Sequence, residues 1–154
     1  MRAIHPVTSS GVSLSRHPAC NVPTPESLFR SELSEPLRVL VVEDDALIGL
    51  LLGDMLTLMG HDVCAIESTE TGAVASAARF RPGIMIVDAW LREGCGITAV
   101  DRILTTGFVP HVFVTGDQRG VSELRPGAVV ISKPFTEAML VDAIKIARRH
   151  TIDL

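Results

Sequence analysis

Residues 38–45 read Arg-Val-Leu-Val-Val-Glu-Asp-Asp, an apolar run of buried-strand length that stops on three carboxylates. A second run, Ile84-Met85-Ile86-Val87, stops the same way on Asp88. Short apolar runs of this kind fit strands buried on both faces of a parallel sheet. A strand that ends in acidic residues delivers them to the sheet rim, and two such strands side by side set Asp44 and Asp88 facing each other. Crowded carboxylates resist ionisation unless a cation sits among them. Hard oxygen ligands with few dedicated protein contacts suit Mg²⁺. The two runs therefore predict an acidic, Mg²⁺-binding pocket at the C-terminal edge of a parallel sheet.

The rest of the chain alternates around these runs. Asp45 can cap a helix in which Ile48, Leu51, Leu52, Met55 and Met59 form one apolar stripe ended by Gly60. Residues 62–66 read as a weaker strand, and Thr69 can cap a helix running to about Phe80, stopped by Arg81-Pro82-Gly83. After the strand at 84–87, Gly94-Cys95-Gly96 breaks the chain before a helix over 97–105. A fourth strand is expected at 111–115 and a fifth at 129–132. Between them Gly120 interrupts, leaving about one helical turn at 121–125. Thr136 caps a last helix to about His150, with Leu140, Ile144 and Ala147 facing inward and Lys145, Arg148 and Arg149 at the end that favours cations. Five strands alternating with helices imply an α/β fold, a parallel sheet covered on both faces. Ligands of such sheets bind beyond the carboxyl ends of the strands, where Glu43, Asp44, Asp88, Thr115 and Lys133 all fall.

Composition narrows the function classes. In 154 residues, 47% are apolar and 21% charged, which rules out wholesale disorder and leaves one domain plus an appendage. The net charge of -4, with both signs interspersed, offers no basic face for nucleic acid. No apolar stretch reaches the roughly 20 residues that a membrane span needs. Cys20, Cys64 and Cys95 are odd in number and lack metal-type spacing, so a reducing, cytoplasmic setting is expected. Residues 1–35, with Pro6, Pro18, Pro23 and Pro25 among Ser, Thr and His, read as a flexible tail with a helical turn or two at 26–33, or as an over-extended translation start. The five histidines share no motif and receive no metal or triad role.

Four segments in order, Val41-Val42-Glu43-Asp44-Asp45, Ile86-Val87-Asp88, Val114-Thr115-Gly116 and Ser132-Lys133-Pro134-Phe135, resemble the receiver domain of two-component response regulators over about residues 37–150. The resemblance implies a three-layer doubly wound (βα)5 sheet of flavodoxin-like order 2-1-3-4-5, occupying 36–154. It implies that Asp88 accepts a phosphoryl group from phosphohistidine. Glu43 (through water), Asp44, Asp88 and the backbone carbonyl of Trp90 would hold Mg²⁺. Thr115 and Lys133 would contact the phosphoryl group, with Pro134 following a cis peptide. The implied partners are a histidine kinase or histidine phosphotransfer protein and an unknown downstream protein.

Some positions depart from the common pattern. Leu91-Arg92 stand where Met-Pro is commonest, and Trp90 lies at the rim where water must approach an acyl phosphate. Val130 replaces the usual aromatic three positions before the lysine, and the chain has no tyrosine. Only 18 residues separate Thr115 from Lys133, so the fourth helix should be reduced, as in a subgroup with Phe-x-Thr-Gly, here Phe113-Val114-Thr115-Gly116. Ordering of the loop that begins at Gly116 and Asp117 would then report phosphorylation. The chain ends four residues after His150, so the expectation is a stand-alone, phosphorylatable signalling receiver and not an enzyme. The competing classes are a phosphorylation-independent binding module and a Mg²⁺-dependent aspartyl phosphohydrolase. Such hydrolases carry a second aspartate where Trp90 stands. Leu47 and Leu50, on the outer side of the first helix, allow a homodimer contact.

Overall fold

The computed structural model describes residues 35–149. The tail expected over 1–35 therefore lies outside the described residues, apart from Glu35. Five strands, β1 (Arg38–Val42), β2 (Asp62–Glu67), β3 (Ile84–Asp88), β4 (His111–Thr115) and β5 (Val130–Ser132), form one sheet of order β2-β1-β3-β4-β5. Every pairing is parallel. Between and after them run α1 (Ala46–Leu58), α2 (Glu70–Phe80), α3 (Gly96–Leu104), α4 (Gln118–Leu124) and α5 (Glu137–Arg149). The expected (βα)5 order is the observed one.

Side chains alternate across the sheet, so each central strand feeds two cores. Val39, Val41, Ile84, Ile86, Val112 and Val114 pack on one face against Leu52 and Leu56 of α1 and Leu140, Ala143, Ile144 and Ala147 of α5. Leu40, Val42, Met85, Val87 and Phe113 pack on the other against Ala73 and Ala77 of α2 and Ile97, Val100 and Ile103 of α3. The strand residues of both sets are essentially free of solvent, which is why they read as unbroken apolar runs.

The caps fall where expected. Asp45 accepts from the Leu47 and Ile48 N–H groups, Thr69 from that of Gly72 and Thr136 from that of Met139. In α1 the stripe needs correction: Leu51 is 52% exposed, while Leu56, outside the expected stripe, is fully buried. This helix is apolar nearly all round, so periodicity could not orient it. Its glycines do: a Cβ on Gly49 or Gly53 would stand 3.2 or 3.1 Å from the Ile66 side chain, so the glycine face is the one that approaches β2. Leu47 and Leu50 are exposed, as expected for the outer side. The reduced fourth helix is present but starts earlier than the single turn expected at 121–125. Asp117 caps it through the Gly120 N–H at 3.0 Å, and Val121 anchors it in the core with no exposure.

Candidate functional site

Parallel strands of matched length end together, and the register fixes who meets whom at the rim. Val42 pairs with Val87, so Glu43 and Asp88 emerge side by side, and Asp88 pairs with Val114 just before Thr115. Thr115 pairs with Ser132, which brings Lys133 to the same edge. Glu43, Asp44 and Asp88 each present a carboxylate oxygen within 4.8 Å of the others. The acidic pocket read from the two apolar runs is thus formed, and three hard oxygen donors at this spacing fit a small divalent cation such as Mg²⁺.

Lys133 enters between two of them. Its Nζ donates to Asp88 Oδ2 and to Glu43 Oε2, both at 2.7 Å. The bond to Glu43 was not expected from the sequence. Glu43 is 2% exposed, and its burial pushes the carboxyl above its ordinary 4.5, the nearby Asp88 charge adding to this against the hydrogen bonds from Lys133 and the Asp45 N–H. Burial pulls on Lys133 in the opposite sense, but hydrogen bonds to Asp88 and Glu43 more than offset it and hold the ammonium above its ordinary value. The lysine is therefore charged at neutral pH. The Lys133–Pro134 peptide is cis.

Asp88 is 8% exposed. Its second oxygen, Oδ1, accepts from the Trp90 N–H at 3.0 Å. Residue 90 thus sits beside the Asp88 carboxylate, with 43% of the residue exposed. Thr115 is fully buried, and its Oγ1 accepts from the Asp117 N–H at 3.1 Å. Among the described residues its hydroxyl makes no bond to Asp88. The structure therefore brings Glu43, Asp44, Asp88 and Lys133 into one network and leaves Thr115 at its border.

Two contacts that hold the segment after Asp88 had no signal in the sequence, and a third feature there had only a partial one. Arg92 contacts Asp44 twice, through its N–H at 3.1 Å and its Nε at 3.0 Å, both to Oδ2. Glu70 accepts from the Cys95 N–H at 3.1 Å and from Arg102 at 3.0 Å, while its own N–H donates to the Glu93 carbonyl. The Arg102 and Cys95 bonds draw the Glu70 carboxyl below its ordinary value. Gly96, read as the end of this segment, has a stricter task. A Cβ there would lie 1.8 Å from the Asp88 carbonyl oxygen, so only glycine lets α3 start this close to the end of β3.

Comparison with known proteins agrees with this geometry. The family model for the response regulator receiver domain matches residues 39–145. The chain is 36% identical over 104 residues to the phyllosphere-induced regulator PhyR of Methylorubrum extorquens, across 65% of this chain and 39% of that protein. It thus spans about two fifths of that relative's length. The solution structure of the PhyR receiver domain of Erythrobacter litoralis superposes with TM-score 0.68 at 32% identity, covering 74% of this chain and 91% of that one. The anti-anti-sigma factor PhyR of Bartonella quintana superposes with TM-score 0.72 at 26% identity, over 83% of this chain and 54% of that one.

Proposed function

The chain belongs to the response regulator receiver domain family of two-component signalling, and from that premise we propose that Asp88 is its phospho-acceptor in a Mg²⁺-dependent transfer from phosphohistidine. The receiver domain is a signalling module, and the PhyR relative is named a regulator. The observation that carries the proposal is Lys133 bonded at once to Asp88 and Glu43, with Asp44 completing an acidic triad of Mg²⁺-compatible spacing.

An Asp88 carboxylate oxygen attacks phosphorus in line with the donor nitrogen. The O–P bond forms, the P–N bond breaks, and its electron pair returns to the donor imidazole, leaving an acyl phosphate. Glu43, Asp44 and Asp88, with the Trp90 carbonyl as the further ligand the family pattern suggests, would hold Mg²⁺, which supplies neutralisation of charge on the transferring phosphoryl oxygens. Lys133 has three donors and uses two, on Asp88 and Glu43. The third is left for a phosphoryl oxygen.

The switch runs through Thr115. When its hydroxyl turns to the phosphoryl group, the Asp117 N–H that it now accepts loses its partner. Asp117 is also the cap of α4, so rearrangement at residues 115–117 reaches that helix directly. This gives a local route for reporting phosphorylation without an aromatic residue at Val130. The donor partner is a histidine kinase or histidine phosphotransfer protein. The Bartonella quintana relative is an anti-anti-sigma factor by its name, but this chain aligns with only 54% of it, so that output is not carried over.

The test is incubation with acetyl phosphate and Mg²⁺, read by intact mass. The expected result is a gain of one phosphoryl group that Asp88→Asn abolishes. No gain, even with phosphotransfer proteins present, would overturn the reading in favour of a phosphorylation-independent binding module. Beryllofluoride should further alter amide-exchange protection across α4, and unchanged exchange there would refute the switch.

A further inference from the structure

The carboxylates of the acidic triad divide two cations between them. Lys133 serves Glu43 and Asp88, while Asp44 Oδ2 takes both the N–H and the Nε of Arg92. The two cations differ in how firmly they are held. The Lys133 side chain is 21% exposed and fixed by two short bonds, whereas that of Arg92 is 77% exposed and reaches in from solvent. An exposed guanidinium leaves an ion pair at small cost because water replaces the carboxylate.

Formal charge makes the exchange specific. Three carboxylates against Lys133 and Arg92 leave one negative charge uncovered. A divalent cation added beside both would leave the cluster net positive in a partly buried place. A divalent cation in place of Arg92 brings it to neutrality. Asp44, whose Oδ2 Arg92 occupies, is also one of the three carboxylates that a metal on this triad would use.

We propose that Arg92 is a built-in counter-cation for Asp44, which Mg²⁺ must displace on entering the triad. It lowers the resting affinity for the metal and links metal loading to release of the Arg92 side chain. This rests on the metal reading of the triad given above. The segment that carries Arg92 stays anchored meanwhile, because Glu70 holds Cys95 and Glu93 and the Gly96 N–H donates to the Ala89 carbonyl. The exchange is thus a side-chain event on a fixed loop.

The test is calorimetric titration of the full chain with MgCl₂ at low ionic strength, with fluorescence of the single tryptophan, Trp90, as second readout. Arg92→Ala should bind Mg²⁺ about two- to fivefold more tightly than wild type, the range set by an exposed ion pair. Screening should narrow the difference at high salt. Arg92→Lys keeps the charge and should stay near wild type. Arg119→Ala removes a charge that pairs with Glu123 instead, and should leave affinity unchanged. Equal or weaker binding by Arg92→Ala, or an equal gain in Arg119→Ala or Arg92→Lys, overturns the inference. Absence of Mg²⁺ binding in wild type and Arg92→Ala alike overturns the metal reading itself, a distinct result.

Discussion

Replacing Gly96 with alanine puts a methyl carbon against the backbone that carries Asp88. It would lie 1.8 Å from the Asp88 carbonyl oxygen, 2.9 Å from its carbonyl carbon and 2.8 Å from Val87 Cγ1. Real Cβ contacts essentially never fall below 3.0 Å, so α3 and the end of β3 must part by at least the difference, 1.2 Å. The obstacle is backbone, and no side-chain rotation relieves it. Overpacking of this kind costs about 1–3 kcal/mol. A misplacement near 1 Å at a reacting group costs about 100-fold in rate. Gly96→Ala should therefore lower stability by that amount in urea unfolding and slow phosphorylation by acetyl phosphate by about two orders of magnitude. Gly83→Ala is the control, since its Cβ would meet nothing closer than the Arg38 carbonyl at 3.8 Å. It should change stability by less than about 0.5 kcal/mol. If Gly96→Ala behaved as this control does in both assays, the close approach of α3 to Asp88 would be wrong.

Other perturbations test the network around the site. Lys133→Ala leaves two buried carboxylates facing each other without their cation, so it should cost about 1–3 kcal/mol at neutral pH. The deficit should shrink as pH falls and the Glu43 carboxyl, held above its ordinary 4.5, takes up a proton, and a pH-independent loss would argue against the network. His61 accepts the Leu37 N–H on Nδ1 at 3.4 Å, and burial, with the Arg148 charge adding, lowers its pKa from 6.5. A depressed value favours the neutral ring when folded, so this contribution is complete above pH 6.5 and is lost as pH falls through the folded value. Denaturant midpoints at about pH 7.5 and pH 5.5 should thus diverge less in His61→Gln than in wild type. Trp90→Ala should shorten the phosphoryl half-life severalfold if the ring shields the acyl phosphate from water, and an unchanged half-life would sink that role.

The parts legible in the sequence were those that burial writes into consecutive residues. β1 and β3 are covered on both faces, so Val39–Val42 and Ile84–Val87 had nowhere to place a polar residue, and the carboxylates after them mark where cover ends. Caps are local too, which is why Asp45, Thr69 and Thr136 could be assigned from their neighbours alone. Orientation of α1 was not legible, because its leucines lie on every side and only contact with Ile66 distinguishes the glycine face. The start of α4 was obscured by Gly120, whose N–H turns out to be what the Asp117 cap requires. Arg92 and Glu70 were invisible for a different reason. Their partners, Asp44 and Cys95, are 48 and 25 residues away, and no spacing rule encodes such pairs.

The Lys133 bonds join residues 90 and 45 positions apart in the chain, on or just after β1, β3 and β5. No fragment short of the fifth strand can form this site, since the lysine arrives last in synthesis and by way of the sheet's far edge. On the proposed chemistry, competence to accept a phosphoryl group would thus wait for the whole sheet, because a nascent or partly unfolded chain displays Asp88 without its lysine.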